Sequence, residues 1–148
     1  MIVVYAHNPH GLAMAGDFVQ RLTAPGSNGP EPGRRIAVIA TPGDRRDEDM
    51  RELGRVAAGL FDVVIVREDA NPRGRRRGEI AGHVMEGIAS SPHSRVQSAE
   101  IIVEEGLAID AALDRASAGD VVLLCVDKPA AAWHHLEARR AVPVSPAT

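Results

Sequence analysis

Five short runs of aliphatic, mostly β-branched residues alternate along this chain with longer segments of helical periodicity. Alternation of this kind is typical of βαβ units and therefore of a parallel sheet. None of the runs alternates apolar with polar residues, which predicts strands covered by helices on both faces. The runs are Ile2 to Tyr5, Ile36 to Ala40, Val63 to Val66, Glu100 to Val103 and Val121 to Val126. The pattern predicts a three-layer α/β domain of the doubly wound, Rossmann-like type, with a mostly parallel sheet.

The segments between these runs place apolar residues three and four positions apart, as helices with one buried face require. Proline suits the first turn of a helix, and acidic residues there are stabilised by the helix dipole. The first predicted helix begins at Pro9 and ends before Pro25. The second runs from Asp47 to Leu60, and the other three span Arg77 to Ala89, Gly106 to Ala116 and Ala130 to Arg139.

The chain has the length of one ordinary domain, with 148 residues. We assign residues 1–140 to that domain and residues 141–148 to a flexible tail, because the tail has two prolines and no apolar period. The segment from Ala24 to Gly33, which is rich in proline and glycine, is predicted to be a flexible surface loop.

Composition excludes several classes of partner. The formal net charge is −3, so no global field attracts nucleic acid or a membrane surface. No apolar run approaches the roughly 20 residues of a membrane span, and a cytoplasmic location is expected. The single cysteine, Cys125, lies in an apolar run and is predicted to be a buried thiol.

In doubly wound sheets, ligands bind beyond the carboxyl ends of the strands, so the loops there are the candidate functional segments. The first loop runs from Tyr5 to Gly11 and contains His7 and Asn8. A histidine and an asparagine at a strand end can offer a flat ring and hydrogen bonds to a nucleotide. A helix cap or a solvated histidine is the alternative interpretation.

The second loop, Thr41 to Asp47, presents Arg45 and Arg46 beside a helix start, where carboxylate or phosphate groups bind well. These arginines can equally pair with the acidic residues that follow them.

The third loop, from Arg67 to Arg77, contains five arginines near Asp69 and Asn71. Such a set can bind an amino acid, with arginine holding the carboxylate and aspartate the ammonium. A solvated basic loop is the alternative. RNA binding is disfavoured because no aromatic residues are interleaved to stack on bases.

Taken in order, the three loops resemble motifs of the carboxy-terminal domain of the Mur ligase superfamily, most closely the cyanophycin synthetase type. The segment Val4 to Pro9 matches D-Y-A-H-(T or N)-P, Pro42 to Arg46 matches G-G-D-R-D, and Asp69 to Arg73 matches D-N-P-R with one inserted residue. Further along, Gly119-Asp120, Asp127 and Trp133 also follow the pattern.

The resemblance implies ATP-dependent ligation, in which ATP phosphorylates a carboxylate and the amine of an incoming amino acid attacks the acyl phosphate. For cyanophycin the incoming amino acid is arginine. The resemblance implies nucleotide contacts for Tyr5, His7 and Asn8, and amino-acid contacts for Arg45, Asp69, Asn71, Arg73 and Arg75. No residue is expected to act as a covalent nucleophile, because such catalysis comes from positioning and charge stabilisation.

Two departures from the family pattern weaken the expectation of ATP cleavage by this chain alone. The phosphate-binding loop Gly-x-x-x-x-Gly-Lys-(Ser or Thr), which belongs to the family's central domain, does not occur in this sequence. The aspartate that precedes the tyrosine of the first motif is replaced by Val4. ATP and Mg are therefore expected only in an enzyme assembled with the central domain, in cis or in trans, and no tightly bound cofactor or metal is expected here.

Three hypotheses follow from the sequence. In the first, the chain is a ligase lobe, either part of a longer polypeptide or encoded separately. In the second, it is a stand-alone module that binds an amino acid or nucleotide without catalysing a reaction. In the third, it is a degenerate remnant with an intact core. The identity of the amino acid is left open. A lobe that faces another domain is expected to expose a moderately apolar patch, so homo-oligomers are plausible. Trp133 is predicted to be a packing anchor at such a face.

Overall fold

The computed structural model describes residues 1–25 and 33–140, without the side chain of Arg140. Strands and helices alternate strictly in these ranges. The strands are β1 (Ile2–Val4), β2 (Arg35–Ile39), β3 (Val63–Val66), β4 (Ser98–Ile101) and β5 (Val121–Cys125). The helices are α1 (Pro9–Leu22), α2 (Asp47–Leu60), α3 (Glu79–Ala89), α4 (Glu105–Arg115) and α5 (Pro129–Arg140). The predicted alternation is confirmed. The predicted tail 141–148 and most of the predicted loop 24–33 lie outside the described residues.

All five strands pair in parallel in the order β1-β5-β2-β3-β4. The three central strands are almost fully buried, as predicted. The two edge strands are not: β1 is half-buried throughout, and Ser98 and Ile101 of β4 are exposed. The prediction that every strand is covered on both faces was therefore wrong at the edges, where a strand has a neighbour on one side only. β4 also begins two residues earlier than predicted and ends at Ile101.

Two hydrophobic clusters, one on each face of the sheet, join the sheet to the two helical layers. One contains buried residues of α1, α2 and α3, including Leu12, Leu53 and Val84. The other contains buried residues of α4 and α5, such as Ile109 and Leu136. Alternate residues of the central strands contribute to each cluster, as the side-chain alternation of a strand requires. The three-layer, Rossmann-like fold is confirmed.

Helices α2 and α3 approach each other at two glycines. A Cβ atom at Gly54 would overlap the Val84 carbonyl oxygen, and one at Gly87 would overlap the Arg51 carbonyl oxygen. The two backbones are thus in direct contact, and any side chain at either position forces them apart.

Helix α3 begins at Glu79 rather than at the predicted Arg77. The residue before it, Gly78, has a φ of 92°, a left-handed conformation that favours glycine. The buried Glu68 carboxylate accepts hydrogen bonds from the backbone N–H groups of Gly78 (3.0 Å) and Ala81 (2.9 Å). Glu68 therefore serves the first turn of α3 as a remote cap.

Cys125 is fully buried in β5, as predicted, and burial raises the pKa of its thiol to about 12. Within the described ranges no helix combines the length and apolar character needed to cross a membrane.

Candidate ligand-binding site at the carboxyl edge of the sheet

The loops that follow β1, β2, β3 and β5 converge at one edge of the sheet, because the carboxyl ends of parallel strands share an edge. Between them lies a cleft of about 260 Å³, here called the central cleft. Its lining comes from four separate loops and consists of Tyr5, His7, Pro42, Asp69, Ala70, Asn71, Arg73, Asp127 and Lys128. Five of the eight predicted site residues are thus brought together.

A second cleft of about 270 Å³ adjoins the first at His7. We call it the Arg45 cleft; its other lining residues are Asn8, Pro9, Thr41, Arg45 and Asp49. The remaining predicted residues Asn8 and Arg45 therefore lie beside the central cleft rather than in it, and Arg75 lies in neither.

Tyr5 and His7 form a partly exposed aromatic pair at the tip of β1. Their ring centroids are 4.6 Å apart with an interplanar angle of 65°, an edge-to-face arrangement. The Nδ1 atom of His7 is buried and has no hydrogen-bond partner among the described residues. Since buried polar atoms in proteins are nearly always satisfied, this atom calls for a water or a ligand.

Asn8 caps α1. Its Oδ1 atom accepts a hydrogen bond from the backbone N–H of Gly11 at 2.7 Å. The cap predicted as the alternative role for this loop is therefore present at Asn8. The amide NH₂ group of Asn8 makes no hydrogen bond to the residues that the structure describes, so it can bind a ligand.

The second and third loops are held together by close backbone contact and by Arg75. A Cβ atom at Gly43 would overlap the Pro72 carbonyl oxygen. The guanidinium of Arg75 donates to the carbonyl oxygens of Gly43 and Arg45, both at 2.8 Å, and pairs with Asp47 and Glu79. The contacts of Arg75 fix the shape of the two loops, and its predicted role in substrate binding stays a prediction.

Arg73 is the arginine that the third loop presents to the central cleft. Its φ of 51° is unusual for a residue other than glycine, and its backbone N–H donates to Asn71 Oδ1 at 2.9 Å, which supports the turn. Its guanidinium is half exposed and pairs with the equally exposed Asp44 at 2.9 Å. Exposed ion pairs of this kind are weak, so a ligand carboxylate can displace Asp44.

Arg45 has an exposed side chain that makes no hydrogen bond or ion pair with the residues in the described ranges. Arg46, in contrast, forms a two-pronged pair with Asp49. The alternative interpretation of the second loop, arginines paired with the following acids, thus holds for Arg46, while Arg45 faces its cleft unpaired.

A charged cluster around a buried arginine, which the sequence did not reveal, lies beside the central cleft. Arg67 is 2% exposed, and its guanidinium donates to the carbonyl oxygen of Cys125 on β5, two strands away from β3. The same guanidinium lies 3.1 Å from Asp69, 3.1 Å from Glu105 and 3.7 Å from Asp127. We call these four residues the Arg67 cluster.

The electrostatics of this cluster are unbalanced, since three carboxylates face one guanidinium. Burial, together with the neighbouring Asp127 carboxylate, raises the pKa of Asp69 to about 6, against the opposing effect of Arg67. Asp69 is therefore a carboxyl group with a pKa of about 6 in the lining of the central cleft.

Arg77 serves the loop backbone. It donates to the carbonyl oxygens of Asp69 (2.6 Å) and Ala70 (2.8 Å) and pairs with Glu68. Of the five arginines in the third loop, Arg67, Arg75 and Arg77 are thus occupied within the fold. Arg73 and Arg76 remain exposed. The family resemblance singled out Arg73 and Arg75, but charge alone does not distinguish an arginine that reaches a backbone carbonyl from one that faces solvent.

A larger cavity of about 390 Å³ lies on the α4 and α5 side of the sheet edge. Its lining includes Val103, Glu104, Glu105 and Ala131, and it shares Ala70, Asp127 and Lys128 with the central cleft. The position of Asp127 and Lys128 directly after a buried strand was the available signal for these residues.

Trp133 is 49% exposed, while its neighbour Ala132 and the next-turn residue Leu136 are the residues of α5 that enter the core. It does not anchor the core of this domain, and a packing role at another domain stays a prediction. No group of three metal-binding side chains occurs in the parts of the chain that the structure describes.

Comparison with known proteins identifies the family to which this chain belongs. Residues 1–126 match the Mur ligase, glutamate ligase domain. The chain is 40% identical over 123 residues to the cyanophycin synthetase of Crocosphaera subtropica, covering 83% of this chain and 13% of that protein. It is 36% identical over 141 residues to the Synechocystis cyanophycin synthetase, covering 95% and 15%. The chain therefore belongs to the Mur ligase family, as its glutamate ligase domain.

A solved structure agrees with the fold. A murein peptide ligase from Psychrobacter arcticus superposes with a TM-score of 0.56 at 17% sequence identity, covering 82% of this chain and 23% of that chain. The family resemblance stated from the three motifs is confirmed. This chain spans only 13% and 15% of the length of the two synthetases, so their whole-protein activity is not established for it.

Proposed function

We propose that this chain is the carboxy-terminal lobe of an ATP-dependent, amide-bond-forming amino-acid ligase, and that it orients a nucleotide and an incoming amino acid. The observation that carries the proposal is the central cleft, where Tyr5 and His7 from the first loop meet Asp69, Asn71 and Arg73 from the third. An aromatic pair, a carboxylate and a guanidinium within one small cleft fit a base or ribose next to an amino acid.

The nucleotide is assigned to the side of the cleft formed by the first loop. The exposed ring of Tyr5 suits stacking against a nucleotide. The buried Nδ1 of His7 and the amide NH₂ of Asn8, which have no hydrogen-bond partner among the described residues, suit hydrogen bonding to it. When bound with Mg, ATP supplies the phosphoryl group that activates the acceptor carboxylate. The phosphate-binding loop and the Mg ligands belong to the partner central domain, so this chain is expected to be inactive alone.

The amino acid is assigned to the side formed by the third loop. Its carboxylate pairs with Arg73 in place of Asp44, and its ammonium faces Asp69. Arginine is the proposed amino acid, on the strength of the similarity to the cyanophycin synthetases. Arg45 lies in the adjacent cleft, where its guanidinium forms no ion pair with the described residues and can stabilise a phosphate or carboxylate at the junction of the two substrates.

A stand-alone binding module without catalysis is the second candidate function. Val4 favours this candidate, because the family motif has an aspartate at that position. Val4 packs against the core, so the nucleotide side of the cleft lacks that carboxylate. A lobe of this kind binds an amino acid but supports no phosphoryl transfer when combined with a central domain.

Calorimetric titration of the chain with arginine, with a panel of other amino acids and with ATP plus Mg tests the proposal. We expect saturable arginine binding that weakens at least about tenfold in Arg73→Ala, since a charge-assisted pair contributes about 1.5–3 kcal/mol. Arg76→Ala is the matched control, because it removes the same charge from an exposed position in the same loop. No binding of any amino acid, or equal losses in both variants, would contradict the proposed site.

A further inference from the structure

The carboxylates of Asp69 and Asp127 form a pair on one guanidinium. Asp69 Oδ1 lies 3.1 Å from NH1 of Arg67, and Asp127 Oδ1 lies 3.7 Å from NH2 of the same group. The negative charge of Asp127 acts on Asp69 and raises its pKa. Two carboxylates that face one guanidinium repel each other, so the pair takes up one proton more readily than either group would alone.

The charges around the pair explain why it can hold that proton. Arg67 supplies one buried positive charge, but Glu105 from α4 occupies the same guanidinium at 3.1 Å. Other ionisable groups around the pair include Glu68, whose carboxylate caps α3, and Glu104, which lines the adjoining cavity. The surrounding loops also carry Asp44, which pairs with the half-exposed Arg73, as well as Arg77, Lys128, His7 and Tyr5. Three carboxylates against one enclosed guanidinium leave an excess of negative charge, which a proton or a cationic ligand can neutralise.

The pair faces the place where a cation is expected. Asp69 and Asp127 both line the central cleft together with Arg73. An amino acid whose carboxylate pairs with Arg73 therefore has its ammonium in the same cleft of about 260 Å³ as the pair. A pKa of about 6 for Asp69 means that the proton is held weakly enough to be exchanged near neutral pH.

Resting on the proposed function, we propose that Asp69 and Asp127 act as one proton-accepting pair for the incoming amine. Binding of the ammonium expels the shared proton to solvent and leaves both carboxylates ionised. One N–H bond of the ammonium then breaks, its proton passes to the pair and its electron pair stays on nitrogen. The free amine attacks the acyl phosphate carbon and the C–N bond forms. Phosphate leaves with the C–O bonding electrons and takes the second proton from nitrogen, which leaves the neutral amide.

The expelled proton gives a direct test on this chain. Arginine is titrated calorimetrically at pH 6 and pH 8 in buffers that differ in ionisation enthalpy, so that the buffer dependence of the heat counts the protons released. With a pKa near 6, we expect release of about half a proton per arginine at pH 6 and almost none at pH 8.

Two variants separate the pair from a purely structural role. Asp127→Asn removes the neighbouring charge that raises the pKa of Asp69, so proton release at pH 6 should fall towards zero. Glu104→Gln is the control, because this residue lines the neighbouring cavity and its side chain caps α4; its proton count should match that of the parent chain.

The outcomes distinguish this inference from the proposed function. Arginine binding with no buffer dependence at pH 6, or an unchanged proton count in Asp127→Asn, overturns the proton-accepting pair and leaves the amino-acid site standing. Absence of binding by any amino acid tested overturns the proposed function, and the pair falls with it.

Discussion

Replacing Arg67 by methionine is expected to lower the free energy of unfolding by about 3–5 kcal/mol, which is the usual cost of removing one partner of a buried ion pair. The variant leaves Asp69, Glu105 and Asp127 without the guanidinium that they face, and leaves the Cys125 carbonyl oxygen without its donor. Methionine retains the length and apolar stem of arginine, so the loss reports charge and hydrogen bonding more than volume. Urea denaturation followed by circular dichroism gives the measurement.

The destabilisation by Arg67→Met should grow with pH. In the parent chain the folded-state pKa of Asp69, about 6, lies above its ordinary value of 3.8. The folded protein therefore keeps a proton that the unfolded chain loses between these values, and stability falls as pH rises through that window. Without Arg67 the pKa of Asp69 rises further, so the window extends upwards and the loss is larger at pH 8 than at pH 5. Arg76→Met, at an exposed position, should change stability by no more than about 0.5 kcal/mol. Equal effects of the two variants would show that Arg67 is not the centre of the cluster.

Replacing Gly87 by alanine is expected to destabilise the protein by about 3 kcal/mol, although alanine is the better helix former. The added methyl group would overlap the Arg51 carbonyl oxygen, which is backbone and cannot rotate away. Helices α2 and α3 would have to separate, and the second and third loops that they carry would separate with them. Thermal or urea denaturation measures the loss.

Gly82 provides the control in the same helix. A Cβ atom there meets nothing within 4 Å, so Gly82→Ala should be neutral or should stabilise the protein by up to about 1 kcal/mol through helix propensity. A Gly87→Ala variant as stable as Gly82→Ala would mean that the two helices are not in backbone contact.

The fold could be predicted from the sequence because the strand pattern and the helix pattern both indicate the same α/β architecture. Buried parallel strands such as Val63 to Val66 read as unbroken aliphatic runs, and the helices between them carry regular apolar stripes. The position of β5 between β1 and β2 could not be predicted in this way, since strand order depends on long-range pairing rather than on local period. That insertion is what places Asp127 and Lys128 beside the first and third loops.

The site was predicted to the level of loops, and less well to the level of side chains. Tyr5, His7, Asp69, Asn71 and Arg73 share the central cleft, and the order of three motifs was sufficient to identify the family. The contacts of Arg75 could not be predicted from local sequence, because its guanidinium donates to two carbonyl oxygens that are about 30 residues away along the chain. Arg67 is similar, since its burial depends on acceptors from β5 and α4.

The most direct test of the central claim is phosphate release by a chimeric ligase. In the Synechocystis cyanophycin synthetase, the segment that this chain matches over 141 residues is replaced by the present sequence. We predict phosphate release from ATP that increases when an amino acid, arginine first, is added, and that is reduced by Arg73→Ala in the inserted lobe. A folded chimera that shows no amino-acid-stimulated phosphate release, while the native segment reinserted through the same junctions restores it, would contradict the assignment of this chain as a ligase lobe.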